Sequence, residues 1–204
     1  MATAVEYDPN TSVLAARTQY FTDNAFGDDG GYTSKWVILG TLGPLKIGFP
    51  NTAARIRAVQ LHDIHHLVTN YDTTLVGEAE IAAWELASGC ARFPAAVVLN
   101  HLALPIGLLR DPDRVRRAFA RGCSSKNLYD KDFDPAVLDE QLGDLRERLG
   151  VGPAAHVEMT PAQRWRWRRT GALALLTWLA VLGTLAAFAL ALVWLVWLVW
   201  AAWL

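Results

Sequence analysis

The chain of 204 residues runs out of charge before it ends: from Gly171 to Leu204 there is none. Within that stretch only Gly171, Thr177, Gly183 and Thr184 are not apolar. About 20 apolar residues suffice to cross a hydrocarbon core, so the run predicts a membrane anchor rather than an entirely soluble protein. Cysteine is scarce too. Cys90 and Cys123 are the whole supply and have no CxxC spacing, which excludes a disulfide scaffold and favours a reducing compartment. Nor is there a surplus of positive charge: 19 basic residues face 20 acidic ones, which argues against a nucleic-acid-binding domain. The segment Met1 to Glu6 has neither a basic region nor an apolar one, so no signal peptide is read there.

What remains before Gly171 has the charge content of an ordinary globular domain. The expected class is mainly α: one helical domain over 1–150, a linker and Arg/Trp junction over 151–170, and a transmembrane anchor over 171–204. A first helix is expected from about Thr11 to Phe21. Trp36–Leu39 and Leu45–Phe49 flank Gly43-Pro44 and read as a short hairpin or extended chain. Pro50-Asn51-Thr52 opens a helix to about Asn70, Thr73-Thr74 opens one to about Gly89, and Phe93–Leu109 is apolar with a kink expected at Pro105. Asp111-Pro112 and Asp134-Pro135 each place an N-cap before a first-turn proline, predicting helices that stop at Gly122 and Gly150.

Arg164-Trp165-Arg166-Trp167-Arg168-Arg169 abuts the apolar run. Guanidinium groups pair with lipid phosphates and indoles favour the interface, so this segment marks the headgroup layer. The positive-inside rule then keeps the globular domain cytoplasmic. A single tilted span, with Trp194, Trp197, Trp200 and Trp203 as a far-side belt, competes with a hairpin turning at Gly183-Thr184.

Three of five histidines lie in Leu61-His62-Asp63-Ile64-His65-His66. At about 100° per helical residue, His62, His66 and Asp63 fall within an arc of about 100°, while His65 points elsewhere. Histidines at i and i+4 are a common way to bring two imidazoles to one metal. Glu78 and Glu85 on the next helix share a face, and an antiparallel pairing returns Glu78 towards His66. Two imidazoles and two carboxylates suit zinc, iron or manganese; core histidines bonded to carboxylates are the alternative. His65 is read as structural, and His101 and His156 as bystanders.

His62-Asp63-x-x-His66, eleven residues and then Glu78 resembles the metal motif of the coenzyme Q biosynthesis protein four family. Phe49-Pro50-Asn51-Thr52 before it and Leu67-Val-Thr-Asn-Tyr71-Asp-Thr-Thr-Leu-Val-Gly77 after it extend the likeness, which covers roughly Tyr20 to Gly150. The resemblance implies a helical, membrane-associated protein of ubiquinone synthesis that removes the C1 carboxylate of a polyprenylated hydroxybenzoate. It implies His62, Asp63, His66 and Glu78 as ligands of a divalent metal, zinc being the usual assignment. It also implies a role among other quinone-biosynthesis proteins, so a non-catalytic lipid-binding or scaffold protein is the alternative. The C-terminal span departs from the peripheral attachment associated with the family. Glu85 is expected to orient a ligand, and the apolar helix Phe93–Leu109 is a candidate lining for a prenyl channel. A phosphohydrolase drawing on Arg114, Arg116, Arg117 and Arg121 is a third reading.

Overall fold

The computed structural model describes residues 6–152, 158–201 and 203. It is mainly helical, with α1 (Val13–Asp23), a hairpin of β1 (Trp36–Leu42) and β2 (Leu45–Pro50), α2 (Ala53–Thr69), α3 (Leu75–Ser88), α4 (Pro94–Arg110), α5 (Pro112–Gly122), α6 (Leu142–Arg148) and α7 (Pro161–Ala201). The helix starts follow the capping residues. Ser12, Thr52, Thr74 and Asp111 each accept a backbone N–H of the first turn, replacing a bond that the helix itself cannot supply. Asn70 stops α2 in the left-handed conformation, φ 58°. Pro105 lies inside α4, which runs on to Arg110.

One expected helix is broken in two. After Asp134-Pro135 comes a short 3-10 turn, Pro135–Asp139, and α6 starts only at Leu142. Between them the chain is extended and pairs with the entry to α1: Val13 N–H donates to the Glu140 carbonyl and Leu142 N–H to the Thr11 carbonyl. Those long-range bonds replace the local ones that an unbroken helix would make.

Two cores share α3. On one side Leu61, Ile64, Leu67 and Val68 of α2 pack with Tyr20, Trp84, Leu142 and Leu145. On the other, Ala79, Ala83 and Ala87 meet Leu104, Val115 and Phe119. The small residues allow close approach: a Cβ on Gly107 would meet Ala79 and Val115, and one on Gly122 would meet the Trp84 backbone. The hairpin stands apart, with Trp36, Ile38, Leu45 and Ile47 exposed.

α7 carries the charge-free run from Gly171 to Ala201 and is long and apolar enough to cross a membrane. It continues unbroken through Gly183 and Thr184, so the turn of a helical hairpin is not formed there. The Arg/Trp junction is helical and lies within α7, which begins at Pro161. Its early turns dock on the domain: Trp167 packs on Phe119, Arg166 donates to the Ala87 carbonyl and Trp178 Nε1 to the Leu102 carbonyl. His156 lies outside the described residues.

Candidate metal centre

The site forms where the end of α2 meets the start of α3. Arg146 donates to the Leu67 carbonyl and to Asn70 Oδ1, and Arg121 donates to the Thr69 carbonyl, so two guanidinium groups tie down the corner. The chain then turns so tightly that a Cβ on Gly77 would collide with the carbonyl and carboxylate of Asp72. Glycine at 77 thereby lets the first turn of α3 close onto the corner, and the next residue is Glu78.

Acceptors settle the tautomers of the histidines. Glu85 Oε1 lies 2.9 Å from His62 Nδ1, and a carboxylate only accepts, so Nδ1 carries the proton. His66 Nδ1 likewise donates to the Tyr71 carbonyl at 2.9 Å. Each ring therefore keeps the Nε2 lone pair free, and the two Nε2 atoms face one another at 3.1 Å. Glu78 completes the group, with one oxygen 3.4 Å from His62 Nε2 and the other 3.5 Å from His66 Nε2.

Lone pairs converging in this way repel unless a cation sits among them, either a proton or a metal ion. A metal with tetrahedral angles and bonds of ~2.0–2.1 Å separates its ligand atoms by about 3.3 Å, and the observed spacings lie on either side of that value. The residues therefore fit a divalent metal. The electrostatics favour a cation there, which is a proton when no metal is bound: burial depresses the His62 imidazolium, but Glu85 and Glu78 outweigh it and hold its pKa well above the usual value. Burial likewise opposes the Glu78 charge, yet His66 and His62 keep that carboxylate well below its ordinary range. Glu78 is the exposed side of the group, at 36% of its side chain, while His66 is buried.

Asp63 is placed differently from the other three motif residues. The ligand atoms that converge belong to His62, His66 and Glu78. Asp63 is buried and accepts a 2.5 Å hydrogen bond from the Tyr32 hydroxyl, and burial raises its pKa.

Beneath the group Glu85 is fully buried and accepts from His62, His65, Asn100 and Tyr129. Burial penalises its charge, but His62 and the hydrogen bonds keep its pKa well below the usual value. His65 has no nitrogen to spare: Nδ1 donates to Glu85, and Nε2 accepts the Leu128 N–H at 3.0 Å, a pattern only the neutral ring can make. Burial lowers its pKa accordingly. His101 donates to the Val97 carbonyl of its own helix.

Sequence spacing missed several participants. Tyr20, from α1, stacks on the His66 ring at 5.5 Å, and Tyr32, Asn100, Arg121, Tyr129 and Arg146 all arrive from distant elements. No local periodicity signals such partners; tertiary packing alone brings them.

Neither a protein-family model, nor a curated protein, nor a solved structure matches the chain.

Proposed function

We propose that this protein is a membrane-anchored, metal-dependent decarboxylase that removes the C1 carboxylate of a polyprenylated hydroxybenzoate in quinone biosynthesis. The observation carrying the reading is the convergence of His62 Nε2, His66 Nε2 and a Glu78 oxygen on one point. The His-Asp-x-x-His and Gly-Glu motifs, through their resemblance to the coenzyme Q biosynthesis protein four family, supply the substrate class. A catalytic metal keeps a position for substrate, and three converging protein groups are consistent with that.

His62, His66 and Glu78 would hold the metal, zinc in the first instance, with iron or manganese as alternatives. Such an ion supplies Lewis acidity towards the carboxylate or the adjacent phenolate oxygen of the ring. Glu85 holds His62 in the productive tautomer, the Tyr71 carbonyl does the same for His66, and the stacked Tyr20 ring limits rotation of His66. Asp63 fixes the Tyr32 hydroxyl, and burial and Asp63 raise the Tyr32 pKa so far that the phenol retains its proton.

Apolar side chains exposed near the start of α3 would suit a lipid substrate. Leu75 is exposed one turn before Glu78, and the packing of Gly107 on Ala79 brings the end of α4, with Leu109 at 86% exposure, next to the start of α3. α7 would hold this face near the bilayer, with the arginines of the junction keeping the domain on the cytoplasmic side. The test compares quinone-precursor lipids in a strain lacking the protein, complemented with wild type or with His66→Ala. A carboxylated prenylphenol that accumulates and is cleared by wild type alone supports the decarboxylase. Clearance by both argues for a scaffold, and an unchanged precursor pool overturns the pathway assignment.

A further inference from the structure

The four arginines of α5 divide into two pairs with different work. Arg114 is spent on Glu80, at 2.5 Å, and on Asp72. Arg121 is spent on the Thr69 and Gly152 carbonyls and lies over the Tyr71 ring. Arg116 and Arg117 are exposed and make no ion pair among the described residues. Instead they line a concavity of about 420 Å³ between α5 and the first turns of α7, together with Arg164, Asp113, Ala120, Glu158 and Met159.

We infer that this concavity binds the phosphate group of an anionic phospholipid, seated where α7 enters the bilayer. The inference rests on α7 being a membrane span. Three guanidinium groups against two carboxylates leave the lining net positive, and guanidinium forks match phosphate oxygens in pairs. Arg164 gives one side-chain N–H to the Met159 carbonyl and makes no other side-chain hydrogen bond among the described residues. The two walls are held together from behind by Phe119 against Trp167 at 5.1 Å, and the Arg166 bond to the Ala87 carbonyl ties α7 to α3 beside them. Arg164 precedes the charge-free run by seven residues, about 10 Å along a helix, and an extended arginine side chain spans the few ångströms from there to a headgroup layer about 5–8 Å deep. Asp113 and Glu158 can accept hydrogen bonds from headgroup hydroxyls, which a glycerol headgroup offers and a choline headgroup does not.

The experiment uses the full chain in a mild non-ionic detergent and follows the thermal unfolding midpoint. Phosphatidylglycerol, phosphatidylcholine and inorganic phosphate are added separately to wild type and to the double variant Arg116→Gln, Arg117→Gln. Phosphatidylglycerol should raise the midpoint of wild type by several degrees, phosphatidylcholine should not, and the double variant should lose at least two thirds of the shift. Equal shifts in both proteins, or with both lipids, overturn the site. A full shift with inorganic phosphate alone overturns the lipid assignment and points to a soluble phosphate ligand. Extraction from membranes without detergent would instead sink the reading of α7, while an arginine-dependent phosphate effect would survive it.

Discussion

Glu85 and His62 are joined at 2.9 Å through His62 Nδ1, on the side of the ring opposite the nitrogen that faces Glu78. One helix thus grips a single imidazole from both sides, with two carboxylates seven residues apart. Glu85→Gln replaces a fully satisfied buried acceptor with an amide that offers N–H groups to histidine donors. We expect a loss of about 2–4 kcal/mol of stability and a 10–100-fold weaker affinity for zinc. Denaturant unfolding and competition titration against a zinc chelator check both figures. Unchanged zinc affinity would remove Glu85 from its positioning role.

Gly77 tests how the centre is assembled. In Gly77→Ala the new methyl group meets the carbonyl and carboxylate of Asp72, so the first turn of α3 has to back away from the corner. The cost should be about 1–3 kcal/mol, with zinc affinity falling at least tenfold because Glu78 moves with that turn. Calorimetry at matched temperature separates the two effects. A destabilised variant that binds zinc normally would show that Glu78 is dispensable.

Asp63 separates a three-ligand centre from the four-ligand set implied by the resemblance. Its carboxylate is taken by Tyr32, so Asp63→Asn should weaken zinc by less than tenfold, whereas His66→Ala should weaken it at least a hundredfold. Equal losses in the two variants would mean that Asp63 swings onto the metal.

The metal-free protein should have a stability maximum near pH 6.5. His65 has a lowered pKa, so its contribution is complete above about 6.5 and is lost as the pH falls below that value. Glu85 and Glu78 are also lowered, and their contributions go next, as the pH falls below about 4.5. Asp63, raised by burial, opposes this only within the carboxylate range. His62 has a raised pKa, so its contribution is complete below about 6.5 and disappears as the pH rises through the folded-state value. Unfolding midpoints across pH 4–9 check the curve, and saturating zinc should remove the alkaline decline. Stability that rises steadily to pH 9 without metal would contradict the His62 pairing.

Local chemistry made much of this fold readable. Thr52 and Asn70 bound α2 closely as their capping chemistry suggests, and Asp111-Pro112 starts α5. The i, i+4 spacing of His62 and His66, with Glu78 at the head of the next helix, was enough to assemble the candidate centre. The exceptions are all long-range. The helix expected from Asp134-Pro135 is interrupted because Glu140 and Leu142 bond to the entry of α1. Asp63 shares the histidine arc, but Tyr32, 31 residues earlier, claims its carboxylate. Arg121, which the sequence groups with the other arginines of α5, and Arg146 clamp the corner from which the site is built.

The most direct test is the metal content of the purified full-length chain. Wild type should carry about one zinc, iron or manganese ion per chain, and the folded variant His62→Ala, His66→Ala should carry none. A wild-type chain that binds no divalent metal even after titration, or a double variant that retains a full equivalent, would contradict the metal centre on which the account rests.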